Sequence, residues 1–514
     1  MRVFLKAHDT SDTSLYPSHR REVWLRIRHM NSKSAGVLSE LSISQLQVLF
    51  SKKRISSVDL VTHFKDRISS VDKGLNSVLE VNPDAFKIAR QLDEERKNGV
   101  SRGILHGIPI LLKDNINTGD KLHTSAGSLA LKDSRAAEDA ALVGKLRDAG
   151  AIILGKTNMT EWANFISTNM PNGYSSRGGQ VLNPYDKSFN TGGSSSGSGV
   201  AVAADLCVVA VGTETSGSIL SPANNNSVVG IKPTVGLISR SGIIPIAASQ
   251  DTAGPMARTV EDAAILLGVM TGFDVQNSAT KNSAAKGTKS LKDYTPFLEK
   301  DGLLGMRLGV PRDYYWQNIK ENQKPILEQA LTALQDGGAV LVDPSEIETA
   351  QAVADLGYTV LLYEFKRDLN KYLRTLNPGM PRSLLELIRF NESFHKKMLR
   401  YGQTLLLAAQ STSGTSSEIY KFTRAEDLRR SQQRGIDATL KRHKLDALVL
   451  PMYWGAQIGA KAGYPSVCVP AGYSSEGMPV GITFMGTAWS EGTLIRAAYA
   501  FEQLTKARRA PKLS

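Results

Sequence analysis

The sequence predicts an α/β fold, and three observations carry that reading. Short apolar runs of strand length alternate with longer segments whose apolar residues recur at helical spacing. The composition, 41% apolar and 22% charged, is that of an ordinary globular protein with a sizeable core. A length of 514 residues fits up to three domains, or one large α/β domain with insertions.

Taken in order, residues 1–37 read as an irregular basic tail. Helical periodicity begins near Leu41 (LSISQLQVLF) and resumes at Ser57–Ile68, with Ser56 or Ser57 as the N-cap. His106–Lys113 (HGIPILLK) reads as a short buried strand that ends in a lysine. Ala137–Ala149 reads as an amphipathic helix ended by Gly150, and Ala151–Leu154 as a strand. Segment 273–295 is polar and rich in Ser, Lys and Thr, a surface excursion before the strand Leu304–Val310. Helices dominate 321–445. Strands return at Ala447–Leu450, Ser466–Val469 and Val480–Phe484, and a last helix covers Gly492–Leu504. No internal repeat is present.

Several functional classes are excluded or disfavoured by composition. The balance of +13 draws on Arg20, Arg21, Arg26 and Arg28 of the tail and on Lys52, Lys53 and Arg54. No zinc-finger spacing, basic zipper or aromatic-flanked RNA motif accompanies this charge, so it reads as a solvated basic surface and no nucleic-acid partner is expected. No apolar run approaches the roughly 18 residues that span a bilayer. Asp9, Asp12 and Glu22 interrupt the acid-poor pattern of a mitochondrial transit peptide, no apolar segment marks a secretory signal, and the ending PKLS is not the SKL address. Cys207 and Cys468 each lie in an apolar run and read as free, buried thiols of a reducing compartment, which points to the cytoplasm. The eight histidines show no HExxH or other metal spacing, so a zinc hydrolase is not expected.

The chemistry concentrates in Asn190–Arg258, where two Gly/Ser clusters flank the apolar run Val200–Val211. A Ser/Gly linker would lack that apolar run and would not sit within a domain. Hydroxyl nucleophiles need a base and backbone amides close by, and glycine lets amides approach a ligand unobstructed. Two pattern matches fail on physical grounds. Gly150–Thr157 fits GxxxxGK[ST], but a helix precedes it and AIIL fills what would be the phosphate loop. Gly193–Gly197 fits the nucleophile elbow GxSxG with Ser195 at its centre, but the preceding DKSFNTGG is no buried strand. The histidines that such an elbow could use, His395 and His443, sit in Lys/Arg-rich helical contexts. What survives is a serine–serine–lysine arrangement, in which a neutral lysine serves as base. Lys113, at the end of GIPILL, is the candidate, since desolvation lowers a lysine's pKa.

The sequence resembles the amidase signature family. The motifs are GIPILLKD (Gly107–Asp114), GGSSSGSG (Gly192–Gly199), GTETSGSI (Gly212–Ile219), GIKPTVGL (Gly230–Leu237) and DTAGPMAR (Asp251–Arg258), all in order. Gly155–Phe165, Ala462–Gly472 and Val480–Gly486 are also similar, and the likeness covers roughly residues 38–508. The resemblance implies one large domain over 38–508 with a mixed central β-sheet layered by α-helices. It also implies a Ser–cisSer–Lys triad: Ser218 as nucleophile, Ser194 as bridging serine after a cis bond from Gly193, and Lys113 as base. By the same likeness Ser194, Thr215, Ser216, Gly217 and Ser218 contact the substrate, with the amides of 215–218 cradling the oxyanion. Ser216 stands where many members have Gly or Asp.

The implied activity is amide hydrolysis through an acyl-enzyme, without metal or organic cofactor, on a small-molecule or peptide amide. The phrases GTETSGSI, VVGIKPTVGLISRSGIIPI and SQDTAGPMAR look closer to peptide amidases than to other branches of the family. The alternative is the A subunit of a glutamyl-tRNA amidotransferase, which works beside an ATP-using partner. A third reading, a catalytically dead binding protein on the same scaffold, conflicts with the presence of all three triad residue types.

Overall fold

The computed structural model describes residues 38–281 and 291–513. The basic tail expected at 1–37, and the middle of the excursion expected at 273–295, lie outside the described residues. An eleven-stranded mixed sheet runs through the molecule. Its strands are β1 (Val78–Val81), β2 (Pro109–Lys113), β3 (Ile152–Thr157), β6 (Val209–Glu214), β7 (Val229–Lys232), β8 (Thr252–Ala257), β9 (Arg307–Gly309), β10 (Val340–Val342), β11 (Ala447–Pro451), β12 (Ser466–Tyr473) and β13 (Pro479–Met485). A separate small hairpin pairs β4 (Tyr174–Ser175) with β5 (Gly179–Gln180). The spatial order is β1-β3-β2-β6-β8-β7-β12-β13-β11-β9-β10. The β3–β2–β6 and β11–β9–β10 neighbours are parallel and the remaining pairs antiparallel.

Helices begin where local chemistry caps them. Ser42 and Ser56 each form a capping box, with Gln45 and Asp59 respectively, at the starts of Ile43–Ser51 and Ser57–Val71. Predicted helix Ala137–Ala149 is observed at Ala141–Asp148, and predicted Gly492–Leu504 at Glu491–Thr505. The strand predicted at Leu304–Val310 shrinks to β9, because Gly305 at φ +72° turns the chain just before it. Strand β10 interrupts the stretch where helices were expected to dominate. Strands β6, β7 and β8 went unassigned from sequence. They are buried at every position, so they show no alternation, and β8 carries Pro255 in its interior.

The topology gathers the chemistry at one edge. Parallel β2 and β6 pair Ile110 with Val209 and Leu112 with Val211, so Lys113 and Thr213–Glu214 emerge together at the carboxyl ends of the strands. Open α/β sheets bind ligands at such ends. A second apolar cluster, with Trp162, Phe165, Phe365, Leu369, Leu387 and Leu406, fastens helices of the 359–410 region onto the loop after β3. Phe165 and Phe365 meet with ring centroids 4.9 Å apart.

Close packing at the sheet centre yields a stability test. A Cβ built on Gly254 in β8 would lie 2.0 Å from the Ile231 carbonyl oxygen, whereas one on Gly144, in the helix Ala141–Asp148, meets nothing within 4 Å. Gly254→Ala is expected to lower the thermal unfolding midpoint by the equivalent of at least about 1–3 kcal/mol. Gly144→Ala is expected to hold or raise it, by up to about 1 kcal/mol. Differential scanning calorimetry of the two variants distinguishes these outcomes.

Candidate active site

Lys113 closes β2 with its side chain fully buried. Its Nζ donates to Ser194 Oγ at 2.8 Å and to the Thr213 carbonyl at 3.0 Å. Burial pulls the Lys113 pKa down to about 7, and the nearby carboxylates of Glu214 and Asp251 oppose that shift. The Gly193–Ser194 peptide bond is cis, as the resemblance implied. A Cβ on Gly193 would stand 2.7 Å from both Asn172 Oδ1 and Thr160 Oγ1, so only glycine fits there. Ser194 precedes the buried helix Ser196–Ala203.

Strand β6 leads directly into the turn that carries Ser218. The Ser195 N–H donates to the Ser218 carbonyl at 3.1 Å, which ties that turn to the cis segment. Ser218 is buried but keeps 6% exposure, and its hydroxyl hydrogen-bonds to no protein group among the described residues. Gly217, at φ +84°, gives the turn its reversal.

Glu214, which sequence reasoning missed, organises this turn. Its carboxylate accepts the Gly217 N–H at 2.8 Å, the Ile219 N–H at 2.6 Å and the Leu220 N–H at 3.0 Å. The nucleophile candidate is thus clasped from both sides. One expectation changes: the Gly217 amide, counted among the oxyanion donors, is turned onto Glu214. The Ser216 and Ser218 amides donate to no protein group among the described residues. Asp251 was also missed; it accepts the Thr215 hydroxyl at 2.6 Å and the Ile246 and Ala247 N–H groups at 2.9 Å. The signal for both was their place inside GTETSGSI and DTAGPMAR, where polar residues of a signature attract less notice than serines.

The rejected patterns are disposed of by geometry. Ser195 Oγ donates to the Thr213 carbonyl at 3.0 Å and accepts the Thr213 N–H at 3.2 Å, so its hydroxyl is engaged. No strand leads into it. The supposed phosphate loop is β3, and its Lys156 is buried on the Ile116 carbonyl and the Thr124 hydroxyl. Both cysteines are free and buried, and burial pushes each thiol up to about 12. Among the described residues no cluster of His, Cys, Asp and Glu could hold a metal ion, and no helix is long and apolar enough to cross a membrane.

Two cavities flank the turn. One of about 320 Å³ is walled by Gly193, Ser216, Gly217, Ser221, Trp454 and Gln457 among others. A larger one of about 630 Å³ lies on the Thr213–Thr215 side and carries charged groups such as Arg240, Asp274 and Asp368. Ser216, Gly217 and the cis segment therefore border one cavity and Thr215 the other.

A buried lysine bonded to one serine, with the turn of a second serine tied to the same segment, has the residue types of a serine hydrolase that pairs serine with lysine rather than histidine. Comparison with known proteins gives the family. The amidase family model matches residues 59–461, and the chain belongs to the amidase signature family and is an amide-hydrolysing enzyme. A probable amidase of Arabidopsis thaliana is 42% identical over 483 residues, covering 92% of each chain. The solved peptide amidase of Stenotrophomonas maltophilia is 47% identical with a TM-score of 0.87, covering 92% of this chain and 99% of that one. The A subunit of the glutamyl-tRNA(Gln) amidotransferase of Thermoanaerobacter pseudethanolicus is 32% identical, covering 92% of this chain and 98% of its own.

The clasp by Glu214 sets a prediction. Glu214→Gln places an amide NH₂ against backbone N–H groups and leaves donors unmet, at a cost of about 1–3 kcal/mol. We expect kcat to fall about tenfold or more, with KM little changed. Because the Glu214 charge favours protonated Lys113, its loss also moves the acidic limb of the pH–rate profile to lower pH. Steady-state kinetics across roughly pH 5–9, the span in which groups titrating near neutrality change charge, read both effects, and an unmoved limb refutes the electrostatic part.

Proposed function

We propose that Ser218 is the nucleophile, Ser194 the proton relay and Lys113 the base of an amidohydrolase acting on neutral carboxamides, including the C-terminal amides of peptides. The observation that carries this reading is the buried 2.8 Å hydrogen bond between Lys113 Nζ and Ser194 Oγ. With Lys113 neutral, the same contact takes the Ser194 proton as Ser194 takes that of Ser218. Ser218 Oγ then attacks the amide carbonyl, and the oxyanion develops against the Ser216 and Ser218 amides. Each such donor is worth a few kcal/mol of barrier, about 2.7–4 where it has been removed. The proton returns through Ser194 to the leaving nitrogen, and water resolves the acyl-enzyme by the same relay.

Peptide amides are favoured by two comparisons. A peptide amidase 47% identical to this chain, with a TM-score of 0.88, is solved in complex with the competitive inhibitor chymostatin. Identity to the A subunits of the amidotransferases is lower, at 31–33%. The free-standing reading is preferred on that ground. Two unpaired buried thiols favour a reducing compartment such as the cytoplasm.

Ser218→Ala is expected to abolish both turnover and labelling by a fluorophosphonate, whereas Ser195→Ala retains most labelling because its hydroxyl is spent on Thr213. The reverse pattern would restore the elbow reading. For the base, activity is expected to rise with pH through about 7, the value at which Lys113 loses its proton, and to level off above. Lys113→Ala should cost several orders of magnitude without rescue by Lys113→Arg, whose guanidinium stays protonated. An active arginine variant contradicts the role.

The relay makes a separate prediction. A serine hydroxyl can accept from one partner while donating to another. Ser194→Ala is expected to lower kcat much more for an amide than for the matched activated ester, since the amine leaving group needs the returned proton. Equal losses on the two substrates would reduce Ser194 to a positioning role.

A further inference from the structure

The cavity of about 320 Å³ beside Gly193, Ser216 and Gly217 has a chemistry that the triad does not use. Its wall holds no acid, lysine, arginine or histidine. Trp454 stands in that wall with 40% of its surface exposed. The turn that presents it is firmly held. The Met452 N–H donates to the Gly481 carbonyl of β13 at 2.9 Å, and the Trp454 N–H donates to the Pro451 carbonyl at 3.1 Å. Met452 itself sits at φ +50°, which fixes the direction of the loop after β11. The backbone that carries the indole is therefore held beside the oxyanion turn. Gln457, half-buried in the same wall, makes no side-chain hydrogen bond to protein among the described residues, and neither does Asn164.

An indole on a held backbone, with carboxamides free to hydrogen-bond, suits a neutral, flat, apolar side chain on a backbone whose N–H and C=O need partners. An unpaired carboxylate or ammonium in this wall would lose hydration without meeting a counter-charge. The larger cavity, with Arg240, Asp274 and Asp368 in its walls, offers the opposite environment.

We propose that Trp454 is a specificity-determining residue. It covers the side chain of the residue that bears the scissile amide, selecting aromatic over small and over charged residues, while Gln457 hydrogen-bonds that residue's backbone. The proposal rests on Ser218 being the nucleophile, because that places the acyl group beside Ser216 and Gly217.

The test compares the C-terminal amides of N-acetyl-phenylalanine, N-acetyl-glycine and N-acetyl-aspartate with the parent enzyme, Trp454→Ala and Trp454→Phe. The parent is expected to prefer phenylalanine over glycine over aspartate in kcat/KM. Trp454→Ala should raise KM for the phenylalanine amide about tenfold with kcat little altered, the mark of lost uniform binding. The loss should fall on that substrate and not on the glycine amide, and Trp454→Phe should recover most of it. Equal losses on the phenylalanine and glycine amides would show that Trp454 only holds its loop. No change on either, or a parent that accepts the aspartate amide as well as the phenylalanine amide, would overturn the proposal. A parent that is labelled by a fluorophosphonate at Ser218 yet hydrolyses none of the three refutes this subsite alone. Absence of that labelling refutes the nucleophile assignment beneath it.

Discussion

Everything at this site depends on a lysine taken out of water. Lys113 is buried because β2 is flanked on both sides, by β3 and by β6, and ends under the loops that follow them. An ammonium in that position forfeits hydration, so its proton is released at a pH where a solvated lysine keeps it. The sheet centre therefore does chemical work: the same packing that stabilises the fold lowers the amine's pKa, so that a substantial fraction is unprotonated near pH 7. Burial alone is not sufficient. Lys156 and Lys232 are equally buried and are drawn down to about 8, but Lys232 donates to backbone carbonyls and Lys156 to a carbonyl and a threonine. Lys461 is paired with Asp427 at 2.7 Å. Among these four, Lys113 is the one that touches a serine.

The carboxylates near Lys113 set the other side of the balance. Glu214 and Asp251 both favour the protonated amine, and a charge brought closer would hold Lys113 cationic. Both are instead occupied by backbone amides and a hydroxyl. The Glu214 charge is spread over donors that also fix the turn around Ser218, and burial raises the Asp251 carboxyl to about 7, so its charge develops only as the pH passes neutrality. One set of interactions thus moderates the electrostatics around Lys113 and holds the turn of Ser218, so neither property can be changed without disturbing the other.

Much of this was legible in the sequence, and the remainder was hidden for physical reasons. The run GIPILLK shows its strand because it is apolar and short, and its lysine because nothing else in the run is polar. The serines were visible as residue types whose neighbours are glycines. Strands β6 to β8 were invisible because they are buried on both faces and include glycine and proline, which a periodicity argument reads as turns. Glu214 was invisible for a different reason. Its role is defined by three amides three to six residues further on, and nothing in its own spacing distinguishes a clasping carboxylate from a solvated one. The cavity walls were beyond reach altogether, since Asn172, Ser216 and Trp454 are separated by 44 and 238 positions and meet only through the sheet.

That separation says how this architecture divides its labour. The proposed base, relay and nucleophile come from β2, the cis segment and the turn after β6, within about the first half of the chain. The aromatic wall comes from the loop after β11, whose register is set by antiparallel pairing with β13. The hydrogen bond from Lys113 to Ser194 is independent of the side chains of the loop after β11, because none of them contributes to it. The proposed base ends a strand paired in parallel on both sides, and the loop that carries Trp454 follows a strand paired in parallel with β9 and antiparallel with β13. The two segments also meet directly, since a Cβ on Gly217 would lie 3.4 Å from Ala456 Cβ, so the sheet and this contact together fix their distance.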